Sequence, residues 1–378
     1  MKFKRLSEIG KITMGQSPDS SSYNEERRGI PFYHGNADFG EKYPSERVWC
    51  EEPKKIAYPE DILISVRAPI GALNYARIEC CIGRGLAAIR IEDEFLRNYV
   101  FHLLKARNGE LNRKGTGSTF KAIGKNVLEE ILVPVIDRDE QECAMRIMDN
   151  LEETIRRKKL QMELLDNLVK ARFIELFGDV GTGAYNYKTC KLGDVAKVGS
   201  SHRVFTTEFV ESGIPFYRGT EIGELADGQE PSDPYYISEE HYQRLASDDT
   251  KPLVGDLLMP SICNKGQVWM VDTEQRFYYK DGRVLCISPD RILFNSKFLQ
   301  YFMREKTLVE YPKMGSGSTF AEFKIFLLKD MDILVPPREI QDKFADFVNQ
   351  VDKSKAVIQK SLDETQVLFD SLMQKYFG

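Results

Sequence analysis

Apolar residues in the middle of the chain recur in alternating steps of three and four. Met148, Leu151, Ile155, Met162, Leu165, Val169 and Leu176 trace one seam, with a gap at Lys158. Phe344, Val348, Val351, Ile358, Leu362, Phe369, Leu372 and Tyr376 trace a second. This spacing is that of a coiled-coil stripe. No proline interrupts either run, and Gly178 or Gly378 supplies the stop. Each run predicts a helix of about 36 residues, roughly 54 Å long and too long for one small domain. Two such helices pair most simply with each other; the alternative is that each lies on its own globular region. Some seam positions are polar in one copy and apolar in the other, as at Ile155 and Lys355 or Lys158 and Ile358.

The remaining segments, about 1–136 and 186–337, carry a different period. Apolar or alternating runs at 62–66, 86–91, 268–272 and 284–288, bounded by Gly, Pro and Asp, predict strands. Short helices are predicted at 98–105 and 297–305, and 179–188 reads as a Gly-rich connector.

The two halves repeat each other. Ile30-Pro31-Phe32-Tyr33-His34-Gly35 recurs as Ile214-Pro215-Phe216-Tyr217-Arg218-Gly219. Asp61-Ile62-Leu63-Ile64 recurs as Asp256-Leu257-Leu258-Met259, and Ile131-Leu132-Val133-Pro134 as Ile333-Leu334-Val335-Pro336. Gly115-Thr116-Gly117-Ser118-Thr119-Phe120 recurs as Gly315-Ser316-Gly317-Ser318-Thr319-Phe320, and both halves end in Phe-Gly. The offset between copies grows from 184 to 195 to 200, then holds at 200 from Gln141 and Gln341 onward. Insertions therefore fall in the globular parts, and the helical part keeps its length. The expected fold is α+β: two similar strand-rich globular domains in tandem, separated by two long antiparallel coiled-coil helices with pseudo-twofold symmetry. The expected division is 1–138 and 179–337 globular, 139–178 and 338–378 helical.

Composition narrows the class. With 378 residues, 42% hydrophobic and 29% charged, the chain is globular and long enough for more than one core. Seven cysteines without framework spacing are expected to be reduced thiols in a cytoplasmic protein. Four histidines argue against a His-rich metal site, and no apolar run of about 20 residues predicts a membrane span. The net charge of −5 argues against a simple basic nucleic-acid binder.

Local charge qualifies that conclusion. Segment 105–125 holds Lys105, Arg107, Arg113, Lys114, Lys121 and Lys125 against Glu110 alone, a balance of +5. Glycines there let a phosphate approach the backbone, and Ser118 and Thr119 can donate to it. The repeat copy, 304–324, balances only +1, with Ser318, Thr319 and Lys324 at the matching place. DNA contact and an exposed loop of solvated charges are the two readings of these segments. Residues 218–256 are acidic and suit solvent or a basic protein partner.

Equivalent turns carry side chains able to read base edges. Arg67, in 65–71, lies opposite Asn264, Lys265 and Gln267 in 261–267. His34 and Asn36 lie opposite Arg218 and its neighbours. A plain surface role fits each of these residues too. Enzyme-like patterns lack their context. The glycines of 178–183 follow a helix instead of a strand, and Asp233-Pro234-Tyr235-Tyr236 lacks a proline of the adenine-methyltransferase loop. Pro289-Asp290 with Glu322-Phe323-Lys324 matches a PD…ExK nuclease core only in fragments that the first repeat lacks. No histidine sits in a hydrolase motif, and no Walker A loop occurs.

The ordered, duplicated set of motifs resembles the specificity subunit of type I restriction–modification systems over the whole chain. Its carriers are IPFY-(His/Arg)-Gly, the strand at 255–258, GSTF before ILVP, and the Glu140-Gln141 or Ile340-Gln341 entry to a helix ending in Phe-Gly. Two departures stand out: Glu60-Asp61 against Gly255-Asp256, and Gly83-Arg84-Gly85 against Asp281-Gly282-Arg283. The resemblance implies two target-recognition domains, each reading one half of a split, asymmetric double-stranded DNA site. It implies helices that set the unread spacer and dock two DNA methyltransferase subunits, with S-adenosylmethionine on those subunits. A restriction and translocase subunit would join them. It implies no catalytic site and no cofactor on this chain. A non-catalytic assembly scaffold without DNA readout is the competing expectation.

Overall fold

The computed structural model describes residues 2–116, 121–135, 137–247, 250–314 and 321–377. The chain packs as two units, Met1–Leu160 with Gln359–Gly378, and Gln161–Ile358. The boundary falls inside each of the two long helices, Arg138–Phe177 and Arg338–Phe377. Each unit therefore combines one globular region, the first part of the helix that follows it, and the last part of the other helix.

In the first unit, Ala144, Met145, Met148 and Ile155 join Phe369, Met373 and Phe377 in a core with Leu6, Ile64, Tyr99 and Leu103. In the second, Phe344, Val348 and Val351 join Val169, Phe173 and Phe177 in a core with Leu257, Phe298, Phe302 and Ile333. Leu151, Leu362, Leu372 and Tyr376 pack against the first core, and Leu165 and Leu176 against the second. Met162 and Ile358 are half-buried. The buried stripe is wider than the period of three and four suggested, because these helices face a second helix and a globular region at once.

The two polar seam positions are satisfied within their units. Lys158 Nζ donates to Ser361 Oγ at 2.8 Å and Thr365 Oγ1 at 2.6 Å. Lys355 Nζ donates to Asp166 Oδ1 at 2.6 Å. In the first unit Lys158 meets Ser361 and Thr365 while Ile155 shares a cluster with Phe369, so the helix segments run antiparallel there. Helix ends are closed differently in the two units. Gly178, at φ +93°, turns the chain where a Cβ would sit 2.1 Å from Ala184 O, and Asn186 N donates to Phe177 O at 3.0 Å. Arg107 Nε donates to Phe377 O at 3.3 Å, a cation placed at a helix C-terminus, where the dipole favours it.

Each globular region carries a four-stranded antiparallel sheet. In the first unit its order is Lys11–Met14, Leu86–Arg90, Ile62–Ser65, Leu73–Tyr75; in the second it is Ala196–Gly199, Val284–Pro289, Leu257–Pro260, Trp269–Met270. The IPFY strands Ile30–Tyr33 and Ile214–Tyr217 pair in parallel with Cys80–Ile82 and Tyr278–Tyr279. The strand predicted over 268–272 forms only at Trp269–Met270. The predicted helices start earlier, at Glu94 and Ser296, because Asp93 and Asn295 cap them through their side chains. The connector holds a small hairpin, Gly178–Asp179 with Ala184–Tyr185.

The departure at Glu60 preserves the backbone. Glu60 N donates to Ala76 O and Gly255 N to Val271 O, both at 2.7 Å. Both residues are left-handed, Glu60 at φ +66° and Gly255 at φ +86°. The aspartates that follow are buried and face arginines from different positions: Arg90 Nε and Nη2 lie 2.9 and 3.0 Å from the two Asp61 oxygens, and Arg291 Nη2 lies 2.6 Å from Asp256 Oδ1.

Candidate nucleic-acid interface

In the first unit, the turn 65–71 is the hub. Val66 N donates to Gly85 O, and Ile123 N to Val66 O, each at 2.9 Å. Ala68 N donates to Lys121 O at 3.1 Å, and Arg67 bridges Ala122. Asn108 Nδ2 and Asn112 Nδ2 donate to Gly71 O and Ile70 O at 3.0 Å, fixing the helix Asn108–Lys114 to the same turn. These bonds bring the segments of Arg67, Arg84, Arg113 and Lys121 side by side, with all four side chains exposed. His34 is exposed on the neighbouring strand end, its ring 4.2 Å from Phe32 and 5.5 Å from Tyr23. Asn36 opens the turn Asn36–Asp38, whose Asp38 carboxylate accepts from His34 N at 2.7 Å and pairs with Arg47.

Ion pairing separates the cations of this face. Lys114 pairs with Glu110 at 2.6 Å and Lys125 with Glu129 at 3.2 Å, one helical turn away in each case. Such exposed pairs contribute about 0.3–0.5 kcal/mol and release their lysines readily. Arg67, Arg84, Arg113 and Lys121 make no ion pair among the described residues. Ser118, Thr119, Ser318 and Thr319 lie outside the described residues.

The second unit builds the equivalent place differently. Ser261 N donates to Arg283 O and Phe323 N to Ser261 O, both at 2.8 Å. Arg283 thus stands where the first unit has Gly85, and Glu322 where it has Ala122. Arg218, Gln267 and Arg283 line one cavity of about 910 Å³, together with Tyr235 and Glu322. Arg218 Nε lies 3.0 and 3.1 Å from the two Glu221 oxygens, and its guanidinium sits 4.2 Å from the Tyr235 ring centre. Lys324 stands outside the lining but is tied to it by Glu322, at 2.6 Å. Asn264 and Lys265 are exposed on the adjoining turn.

Sequence reasoning placed Glu221 beside Arg218 and met Tyr235 and Glu322 only in enzyme-like patterns, so it missed their roles at this site. The spacing Arg218-x-x-Glu221 was a legible signal, since Glu221 also accepts from Arg218 N at 2.7 Å as a helix-start cap. Glu322 had none, because its arginine is 39 residues away. The fragments of the PD…ExK pattern are used for structure: Asp290 Oδ1 accepts from Ile292 N at 2.8 Å, and Glu322 is engaged by Arg283 and Lys324. Burial pushes the Cys80 and Cys286 thiols up to about 12 and Cys263 up to about 11, which leaves them protonated. Among the described residues, no three or more His, Cys, Asp or Glu side chains gather as a metal site requires.

Comparison with known proteins agrees with this duplicated architecture. The model of the type I restriction modification DNA specificity domain matches residues 1–164 and again 185–365. A putative type I restriction enzyme MjaX specificity subunit from Methanocaldococcus jannaschii is 45% identical over 157 residues, covering 40% of this chain and 37% of that relative. The MjaIX specificity subunit of the same organism is 23% identical across 98% of this chain and 91% of its own length. The crystal structure of the type I restriction–modification S subunit from M. genitalium covers 100% of this chain and 96% of its own, with TM-score 0.60 and 15% identity. That likeness establishes the α+β fold with two domains and two long helices.

Proposed function

The chain belongs to the type I restriction–modification DNA specificity family, and from that premise we propose that it reads a bipartite, asymmetric double-stranded DNA site with one half-site per globular region. Residues 1–138 and 179–337 are the target-recognition domains, and 139–178 and 338–378 the spacer helices. The observation that carries this reading is the pair of structurally equivalent loop sets that present different side chains. One presents Arg67 and Arg84; the other presents Arg218, Gln267 and Arg283. Equivalent frames with different reading residues suit two unlike half-sites. Arg, Asn, Gln and Lys are the side chains that match base edges in the major groove.

The remaining cations supply affinity. Exposed Arg113, Lys114, Lys121 and Lys125 suit phosphates, which position the duplex without specifying it. The helices keep a fixed length of 40 residues each while the globular parts carry the insertions. That contrast supports a ruler between half-sites. The helices also dock two methyltransferase subunits, which supply the S-adenosylmethionine chemistry, and a restriction and translocase subunit can join. The chain itself contributes recognition without catalysis, in the cytoplasm. No helix among its described residues is long and apolar enough to cross a membrane.

Methylome sequencing of a host that expresses this chain with its methyltransferase tests the reading. A split motif with two unlike halves is expected; a continuous motif, or no new methylation, counts against it. Insertion of one helical turn into either long helix is expected to change the spacer and leave both halves intact. An altered half-site with an unchanged spacer would remove the ruler.

A further inference from the structure

At the rim of the cavity of the second unit lies a three-residue contact that has no equivalent in the first. Arg283 Nη1 donates to Glu322 Oε1, and Lys324 Nζ donates to Glu322 Oε2 at 2.6 Å. The carboxylate between them is only 18% exposed, whereas Arg283 and Lys324 are 60% and 56% exposed. The hydrogen bond from Lys324 holds the Glu322 carboxyl below its ordinary value against partial burial, and Arg283 adds to this. The matching residues of the first unit are Gly85, Ala122 and Gly124, which carry no such groups.

This arrangement fixes a direction. Arg283 spends Nη1 on Glu322, while its Nε and Nη2 have no partner among the described residues. Those two N–H groups form one flat edge of parallel donors. In the major groove, guanine alone offers two acceptors on one base edge, O6 and N7. A residue that only held phosphate would gain nothing from a neighbouring carboxylate, since Glu322 repels the backbone. A carboxylate that aims an arginine makes sense where angle matters more than strength. Gln267 lines the same cavity, and its Oε1 is buried without a hydrogen-bond partner.

We propose that Arg283, aimed by the positioning residue Glu322, reads a guanine in the half-site of the second unit. The inference rests on the DNA-reading function proposed above.

The test is selection from a duplex library randomised across both half-sites, with the full chain in complex with its methyltransferase subunits. The wild type is expected to enrich a G·C pair at one position that Arg283→Ala no longer selects, with a loss of preference of roughly 10- to 100-fold. Glu322→Gln is expected to lose the same preference while total binding holds or rises, because a negative charge has gone. An unchanged unfolding transition shows that the variants remain folded. A guanine preference that survives either substitution overturns the proposal, as does a loss spread over every position of the half-site. In both cases the DNA-reading function stands. A wild-type complex that enriches no sequence overturns the DNA reading and the proposal with it.

Discussion

The two units use one backbone plan and treat the arginines of their equivalent loops differently. In the first, Arg67, Arg84, Arg113 and Lys121 stand exposed and without an ion pair among the described residues. In the second, Arg218, Arg283 and Lys324 each meet a carboxylate. An unpaired surface cation contributes affinity that falls with salt and is indifferent to sequence. A cation held by a carboxylate loses some of that affinity and gains a fixed direction. Under the proposed function, the greater positive charge of segment 105–125 over 304–324 gives the first unit more sequence-independent affinity beside the residues proposed to read its half-site.

The comparison breaks hardest at the cores. Phe177 and Phe377 end the two helices, and each is fully buried in the unit its own globular region does not form. Phe377→Ala is expected to cost about 3–5 kcal/mol and to loosen residues of the first unit, and Phe177→Ala to do the same in the second. Hydrogen exchange resolved by peptide checks this; unchanged protection of residues 1–160 in Phe377→Ala would detach the second helix from that core.

A smaller effect lies at the left-handed position shared by the units. Gly255→Ala is expected to destabilise the second unit by about 1–2 kcal/mol, more than that if Arg291 cannot give way, since a Cβ there would sit 2.0 Å from Arg291 Nη1. In the first unit, Glu60→Gly relieves the same conformation, and a gain of less than about 1 kcal/mol is expected in denaturant unfolding. A loss in Glu60→Gly would mean that the Glu60 side chain, 3.4 Å from Tyr43 Oη, matters more than its backbone.

The electrostatic side of the comparison is sharper in slope than in size. Lys121→Ala is expected to weaken binding to all DNA sequences and to reduce the salt slope by about 0.9, the value for one phosphate. Lys125→Ala is expected to do less, because Glu129 already offsets its charge at 3.2 Å. Binding measured over a salt series separates the two; equal slopes would erase the distinction between paired and unpaired lysines.

Much of this was legible in the residues, and the reason is periodicity. The strands at Ile62–Ser65 and Val284–Pro289 announce themselves by continuous apolar runs, and the helices by their seams. The helix starts were harder because they depend on one cap, Asp93 or Asn295. In the site, the loops were found by matching repeats, but the match of 65–71 with 261–267 was one residue out of step. Only the shared bonds of Val66 to Gly85 and Ser261 to Arg283 bring the two into register.

The sequence by itself determined the duplication, the α+β class, the constant helical length and the family, because each is written in spacing along the chain. Tertiary structure alone decided which helix segment closes which core, and which carboxylate holds which arginine. Phe377 meets Tyr99 and Glu322 meets Arg283 across separations that no local pattern records. Burial and charge pairing depend on distance in space, so they become visible only when the chain has closed on itself.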